Sequence, residues 1–219
     1  MNTEGNDKLL NIESSLGDSE ELILQFKSYQ QRYTAAIKEV TTKLEILDDE
    51  FKSIHEYNPI HNIETRLKSP HSIMKKLEKY NLPRDLDSMS EIKDIAGVRV
   101  VCNYIEDIYT IADLLTTQVD ITLEKKKDYI KNPKENGYRS LHLIITVPIF
   151  LSTGVESIPV EVQIRTIAMD FWASLEHSLR YKDPTDTTKD VIQRLTKCAE
   201  VIASVDKEMQ DIHKSIHQG

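Results

Sequence analysis

Two carboxylates stand in this sequence where a β-strand would present them. Asp94 opens the segment DIAGVRV, and Glu161 sits in VEVQIRT. Strict alternation along VEVQIRT puts Glu161, Gln163 and Arg165 on one face and Val160, Val162 and Ile164 on the other. A strand with one apolar face and one face of Glu, Gln and Arg is either the wall of a site or the wet side of a half-exposed sheet. Two acids on neighbouring strands can hold Mg²⁺ when substrate phosphates complete its shell. They can equally pair with Arg99 or Arg165. Alternation sends Asp94 and Arg99 to opposite faces unless Gly97 hosts a bulge.

Two basic islands accompany these acids. From Arg66 to Arg84 six basic residues meet one acid, and from Lys125 to His142 six meet two. The islands carry +5 and +4 in a chain of net charge −8, so the remainder carries −17. That distribution argues against general nucleic-acid binding and for local polyanion sites, with two solvated charge runs as the plainer reading. In the first island Ser72, Lys76 and Lys79 share one face of a short helix. Arg66 and Lys68 precede it, and the helix N-terminus adds free N–H groups and a positive dipole end. Such convergence suits a triphosphate. In the second island, KNPKENGYRSLH, Tyr138, Ser140 and His142 share a face by alternation. Tyr138 can stack on a base, with Lys134 and Asn136 reaching phosphate or ring edge. A lone tyrosine more often packs, and His142 more often hydrogen-bonds than binds metal.

Several function classes are excluded. The six glycines form neither a GxxxxGK[ST] nor a GxGxxG pattern, and no CxxC or HExxH occurs. Phosphate must therefore be held by side chains. Cys102 and Cys198 read as reduced thiols of a cytoplasmic protein. No apolar run approaches the roughly 20 residues that span a bilayer, and the polar, acidic N-terminus is no targeting signal.

The elements that must position these groups follow from periodicity. Ile23, Phe26, Tyr33, Ile37, Val40, Leu44, Leu47, Phe51 and Ile54 form the seam of a long helix that should stop before Asn58-Pro59. Val191, Leu195, Cys198, Ile202, Val205, Met209, Ile212 and Ile216 form a second seam, with Asp183-Pro184-Thr185 at its start. The seams are expected to pack on the central domain and on each other, and to pair chains into a homo-oligomer. Between them, Ser69–Tyr80, Ile105–Leu115 and Ile167–Arg180 read as helices. Ile95–Cys102, Val119–Lys125, Arg139–Val147 and Ile158–Thr166 read as strands, the last two a hairpin turning at Ser152-Thr153-Gly154. The fold class is α+β, a mixed sheet with packed helices. The expected division is residues 1–57 for an acidic segment and long helix, 58–182 for the catalytic domain, and 183–219 for the heptad helix.

RLKSPHSIMKK, DIAGVRVV, KKKDYIKNPKENGYRSLH and VEVQIRTIAMDFWASLEH, in this order, resemble the synthetase domain of the RelA/SpoT homologue family, over about Asn58 to Tyr181. The flanking helices are similar in kind to those of its single-domain small alarmone synthetases. The resemblance implies a nucleotidyltransferase-like sheet and a GTP pyrophosphokinase that moves the pyrophosphate of ATP to the ribose 3′-hydroxyl of GTP or GDP. It implies that Arg66 and Arg99 sandwich adenine and that Lys68, Ser72, Lys76 and Lys79 hold the ATP phosphates. Asp94, with Glu161, takes Mg²⁺. Tyr138 stacks on guanine, with Lys127, Lys134, Asn136 and His142 around the acceptor. Glu161 is the catalytic carboxylate, supported by Gln163. The family's small members are often homotetramers. The residues alone leave open a nucleotide-transferring enzyme and a non-catalytic nucleotide- or RNA-binding scaffold.

Overall fold

The computed structural model describes the backbone of residues 4–182 and 189–217, and side chains over 27–85, 87–179 and 190–216. Helix α1 (Glu4–Ile54) leads into strand β1 (Ile60–Leu67) and helices α2 (Pro70–Lys79) and α3 (Leu86–Ser90). Strand β2 (Ala96–Cys102), helix α4 (Ile105–Thr116), and strands β3 (Thr122–Asp128), β4 (Leu141–Leu151) and β5 (Gly154–Thr166) follow. Helices α5 (Ile167–Lys182) and α6 (Lys189–His217) close the chain. The five-stranded sheet has the order β1-β2-β5-β4-β3. Its central pair, β2 and β5, is parallel, and the other pairs are antiparallel.

The apolar face of the sheet is built by alternation. Leu141, Leu143, Ile145, Val147 and Ile149 of β4 are buried, as are Ile158, Val160, Val162 and Ile164 of β5. Helix α1 lies on this face through Tyr33, Ala36, Ile37, Val40 and Leu44, and α4 adds Ile108, Ile111, Ala112 and Leu115 to the same core. The first seam is thus spent on the sheet, and α1 ends at Ile54, ahead of Asn58-Pro59. The residues between on β4 and β5, His142, Ile144, Glu161 and Gln163, stay half-buried on the opposite face. The hairpin between these strands turns at Ser152-Thr153, where Gly154 has φ +132° and pairs with Leu151.

Sequence periodicity misplaced three features. Strand β1 carries its apolar residues at Ile60, Ile63 and Leu67, which is not alternation, and only its pairing with β2 makes it a strand. Asp94 does not open β2: it sits in the turn before Ala96, so alternation does not govern it, and the β1–β2 register runs unbroken past Gly97.

The third correction concerns α6. The face turned to the protein carries Ala199, Asp206 and Gln210, while Val205, Met209, Ile212 and Ile216 are exposed. The reason is polar satisfaction. Asp206 accepts from the Thr166 hydroxyl at 2.7 Å, and Gln210 Oε1 accepts from the backbone N–H of Glu106 at 2.9 Å, an orphan donor of the first turn of α4. His213 stacks on Tyr104 at 4.1 Å. Helix α6 therefore docks on α4 and β5 by hydrogen bonds and on α5 through Leu195, Ala199 and Ile202 against Trp172 and Ala173, while the rest of its apolar stripe points outward. The expected start at Asp183-Pro184-Thr185 lies outside the described residues, as do the side chains of Ile23 and Phe26.

Leu44 is fully buried between α1 and the sheet. Leu44→Ala should lower unfolding free energy by about 2–5 kcal/mol, measured by urea denaturation.

Candidate active site

The wet face of the sheet carries two cavities that share a wall. One, of about 320 Å³, is lined by Arg66, Lys68, Asp94, Arg99, Glu161 and Gln163, with Glu64, Thr65, Gly97 and Val98. The other, of about 220 Å³, is lined by Lys76, Tyr80, Glu91, Lys93, Asp94, Lys125, Lys127, His142, Ile144 and Glu161. Asp94 and Glu161 belong to both.

The sheet explains the arrangement. In the parallel β2–β5 register Gly97 is opposite Glu161 and Arg99 opposite Gln163. His142 on β4 is opposite Gln163 on its other side. Gly97 is where β1 comes close: a Cβ there would stand 3.4 Å from the Arg66 carbonyl oxygen. Helix α2 begins at Ser69, whose Oγ accepts from the Ser72 N–H at 3.3 Å, and its Ile73 and Leu77 anchor it in the core. This aims Lys76 back across the sheet.

Electrostatically Asp94 pairs with lysines and Glu161 does not. Asp94 Oδ2 is 2.5 Å from Lys76 Nζ and 3.3 Å from Lys68 Nζ. Arg99 pairs instead with Glu64 at 3.1 Å and Asp170 at 3.4 Å, and Arg165 with Asp170 at 3.1 Å. Glu161 Oε1 is 3.2 Å from His142 Nδ1, and Oε2 accepts from Gln163 Nε2 at 2.9 Å. Burial pushes the Glu161 carboxyl up, but the hydrogen bond of His142, with that of Gln163 and the charge of Lys76, outweighs it and holds it at about 2. Asp94 Oδ1 is buried without a hydrogen-bond partner. A cation between two nearby carboxylates would satisfy it, so these residues fit an ion such as Mg²⁺ that draws its other ligands from phosphate and water. Among the described residues no group of three or more His, Cys, Asp or Glu could hold a metal unaided.

The loop before β4 supplies the aromatic part. Lys134 Nζ lies 4.7 Å above the Tyr129 ring and 4.6 Å above that of Tyr138. The Tyr138 hydroxyl is 2.8 Å from His142 Nε2 and accepts from Arg165 Nη2 at 2.6 Å. Asn136 is a structural member: its Nδ2 donates to Glu176 at 3.1 Å, and its Oδ1 accepts from the Tyr138 N–H at 3.2 Å.

The fold therefore brings Arg66, Lys68, Lys76, Asp94, Arg99, Lys127, His142, Glu161 and Gln163 to the two cavities. Ser72 and Lys79 line neither: Ser72 Oγ is engaged with Ser69 Oγ at 2.9 Å, and Lys79 is exposed in the last turn of α2. Lys134, Asn136 and Tyr138 form the adjoining loop. Sequence reading missed Lys93 and Lys125 in the second cavity. Only the charge of the KKK run marked Lys125, and Lys93 carried no signal.

Comparison with known proteins fits this geometry. The family model described as "Region found in RelA / SpoT proteins" matches residues 65–186. The chain belongs to the RelA/SpoT family. Among curated relatives, this family member is 44% identical over 185 residues to the GTP pyrophosphokinase YwaC of Bacillus subtilis, covering 84% of this chain and 88% of that protein. It is similar to the small alarmone synthetase 1 of Bacillus subtilis bound to its product pppGpp, with a TM-score of 0.82 and 33% identity over 88% of this chain and 98% of that one. It is also similar to the same enzyme bound to AMPCPP, with a TM-score of 0.77 and 31% identity over 89% of this chain and 99% of that one. Among the described residues no helix is long and apolar enough to cross a membrane.

Gly137 tests how the aromatic loop is seated. Its φ is +87°, and a Cβ would stand 2.5 Å from the Ala199 Cβ on α6. Gly137→Ala combines backbone strain with that clash and should destabilise by more than about 1 kcal/mol. Amide exchange should accelerate first in residues 131–140.

Proposed function

We propose that the protein is a GTP pyrophosphokinase that transfers the β,γ-pyrophosphoryl group of ATP to the ribose 3′-hydroxyl of GTP or GDP, releasing AMP and forming the alarmone. The observation that carries this reading is the pair of cavities meeting at Asp94 and Glu161. A transfer between two nucleotides needs a donor pocket and an acceptor pocket whose reacting ends converge on shared acids. The names of the relatives support it, as do the nucleotides in the similar structures.

In this reading Arg66 and Arg99 flank adenine in the larger cavity, and the phosphates run toward Lys68 and Lys76. Ser72 and Lys79 serve from the two ends of α2. The acceptor enters the smaller cavity, with Lys125 and Lys127 toward its 5′-phosphates and Lys93 beside them. Tyr138 takes the base, Lys134 and His142 lie around it, and Asn136 shapes the loop. Mg²⁺, held by Asp94 and Glu161, would supply charge neutralisation to the triphosphate when bound. Glu161 orients the 3′-hydroxyl and accepts its proton as the oxygen bonds to the β-phosphorus. The bond from that phosphorus to the α-phosphate oxygen breaks, and AMP leaves. A carboxylate held at about 2 is a weak base. Phosphoryl transfer tolerates this, because positioning and charge stabilisation supply most of the rate. The two unpaired cysteines and the nucleotide substrates suit the cytoplasm.

Glu161→Gln should lower kcat by about 10²- to 10⁴-fold while leaving ATP binding nearly intact. Chromatography of products from γ-labelled ATP plus GTP measures this. Label in a guanosine product supports pyrophosphoryl transfer, whereas label in free pyrophosphate would show nucleotide transfer instead.

We also propose that the protein self-associates, as a tetramer, through the outward stripe of α5 and α6. Ile167, Phe171, Val201, Val205 and Met209 line an apolar groove of about 530 Å³ there. Phe171 is 58% exposed beside the exposed Ile167, Val201, Val205 and Met209, a contiguous apolar patch of the kind that marks an interaction surface. Val205→Glu with Met209→Glu should give smaller particles in light scattering with unchanged helicity. A wild-type protein already monomeric at micromolar concentration would refute this.

A further inference from the structure

The side chains that lead to Glu161 form a fork of hydrogen bonds whose stem is Arg165. Its side chain is buried, with the residue 5% exposed. Nη1 donates to Asp170 Oδ1 at 3.1 Å and Nε to Ser140 Oγ at 3.3 Å. Nη2 donates twice, to the Tyr138 hydroxyl at 2.6 Å and to Gln163 Oε1 at 2.8 Å. Each recipient starts a branch. Gln163 Nε2 donates to Glu161 Oε2 at 2.9 Å. The Tyr138 hydroxyl meets His142 Nε2 at 2.8 Å, and His142 Nδ1 meets Glu161 Oε1 at 3.2 Å. Both branches end on the same carboxylate, one on each oxygen.

The stem fixes its own bonds and sets a consistent direction for the rest. A guanidinium has donors and no acceptor. The Tyr138 oxygen therefore accepts from Nη2, which leaves its own proton to turn to His142 Nε2. With the proton so placed, Nε2 accepts and the ring proton sits on Nδ1, where it donates to Glu161. In the other branch the carbonyl oxygen of Gln163 faces Nη2, so its amide N–H₂ faces Glu161. The carboxylate, an acceptor only, closes both branches with no mismatch.

We propose that Arg165 is a positioning residue that fixes the polarity of both branches and so orients the two oxygens of Glu161 toward the acceptor hydroxyl. Through the Tyr138 branch it also ties the aromatic loop to that carboxylate. Arg165 touches no substrate in this scheme. Asp170, which holds its Nη1, is also 3.4 Å from Arg99 Nη1, so the stem is anchored beside the donor cavity. This rests on the reading of Glu161 as the group that takes the 3′-hydroxyl proton. The hydroxyl of Tyr138 then has a function separate from its ring.

The test uses the full chain and two variants. Tyr138→Phe keeps the ring and deletes one link. Arg165→Lys keeps the charge but cannot span Tyr138, Gln163 and Asp170 together. Ring ¹⁵N NMR of the nucleotide-free protein at pH 8, with the His142 signals assigned by their loss in His142→Gln, reads the tautomer directly. The expected result is an Nδ1–H tautomer in the wild type that is lost in both variants. Steady-state kinetics should show kcat down about 10- to 100-fold, the usual effect of removing a group that orients an active-site residue. KM for ATP should stay within about threefold, and Tyr138→Phe should keep the wild-type melting temperature. An Nε2–H tautomer in the wild type, or Tyr138→Phe with kcat within about twofold of wild type, would overturn the proposal. Glu161→Gln distinguishes the underlying reading: full turnover there removes the proton-acceptor role, while the tautomer result still decides the polarity of the network.

Discussion

The parallel pairing of β2 with β5 is the constraint on which the site depends. Parallel neighbours need a long crossover, and here everything from α4 through β4 lies between them in sequence. Their register sets Gly97 against Glu161 and Arg99 against Gln163. Asp94, in the turn that feeds β2, thereby arrives beside a carboxylate 67 positions away in the chain, and both acids line the same two cavities. Gly97 lines the larger cavity opposite Glu161, where a larger side chain would take up space in it. The buried Val160, Val162 and Ile164 lock this register, because a one-residue slip would turn Glu161 and Gln163 into the core.

Charge is organised around the same junction. The chain is acidic overall, yet Lys68 and Lys76 hold Asp94 from two elements, and Lys93, Lys125 and Lys127 gather in the smaller cavity. In the free protein Lys68 and Lys76 share one oxygen of Asp94, and its other oxygen is left without a partner. In the proposed reading, an incoming polyphosphate would compete for these lysines and leave Asp94 in need of a cation. A binding site whose internal ion pairs are exchanged for ligand contacts avoids leaving buried charge unpaired in either state. A local positive field within an acidic surface also draws anionic ligands to one place.

The C-terminal helix joins this chemistry to the rest of the molecule. Its inner face is mixed: Asp206 and Gln210 take up hydrogen-bonding groups of β5 and α4, Leu195 and Ile202 pack by Trp172, and Ala199 forms the seat of Gly137. Burial pushes the Asp206 carboxyl up, against the Thr166 hydrogen bond that steadies its charged form. Its outer face is apolar. The aromatic loop therefore rests on a helix whose far side is free to meet another surface.

Some of this was legible in the residues themselves. Alternation in VEVQIRT assigned Glu161, Gln163 and Arg165 to one face, since a two-residue period is a local property of the backbone. The seam of α1 was legible for the same reason, because burial on the sheet demands a continuous apolar face. The seam of α6 was equally legible, and Leu195 and Ile202 do pack on α5 as expected. Its second half faces outward instead: periodicity shows that a helix has an apolar stripe and not what the stripe faces, and here hydrogen bonds of Asp206 and Gln210 settled the orientation. Strand β1 was invisible because its identity lies in its pairing with β2, a contact between segments more than thirty residues apart, as Glu64 with Arg99 shows. The partners of the charges were invisible too. The sequence by itself determined which acids, lysines and aromatics were available and the local faces they occupied. Only the tertiary structure decided that Asp94 meets lysines while Arg165 meets Tyr138 and Gln163, because ion pairs and hydrogen bonds act over a few ångströms and register, not composition, sets those distances.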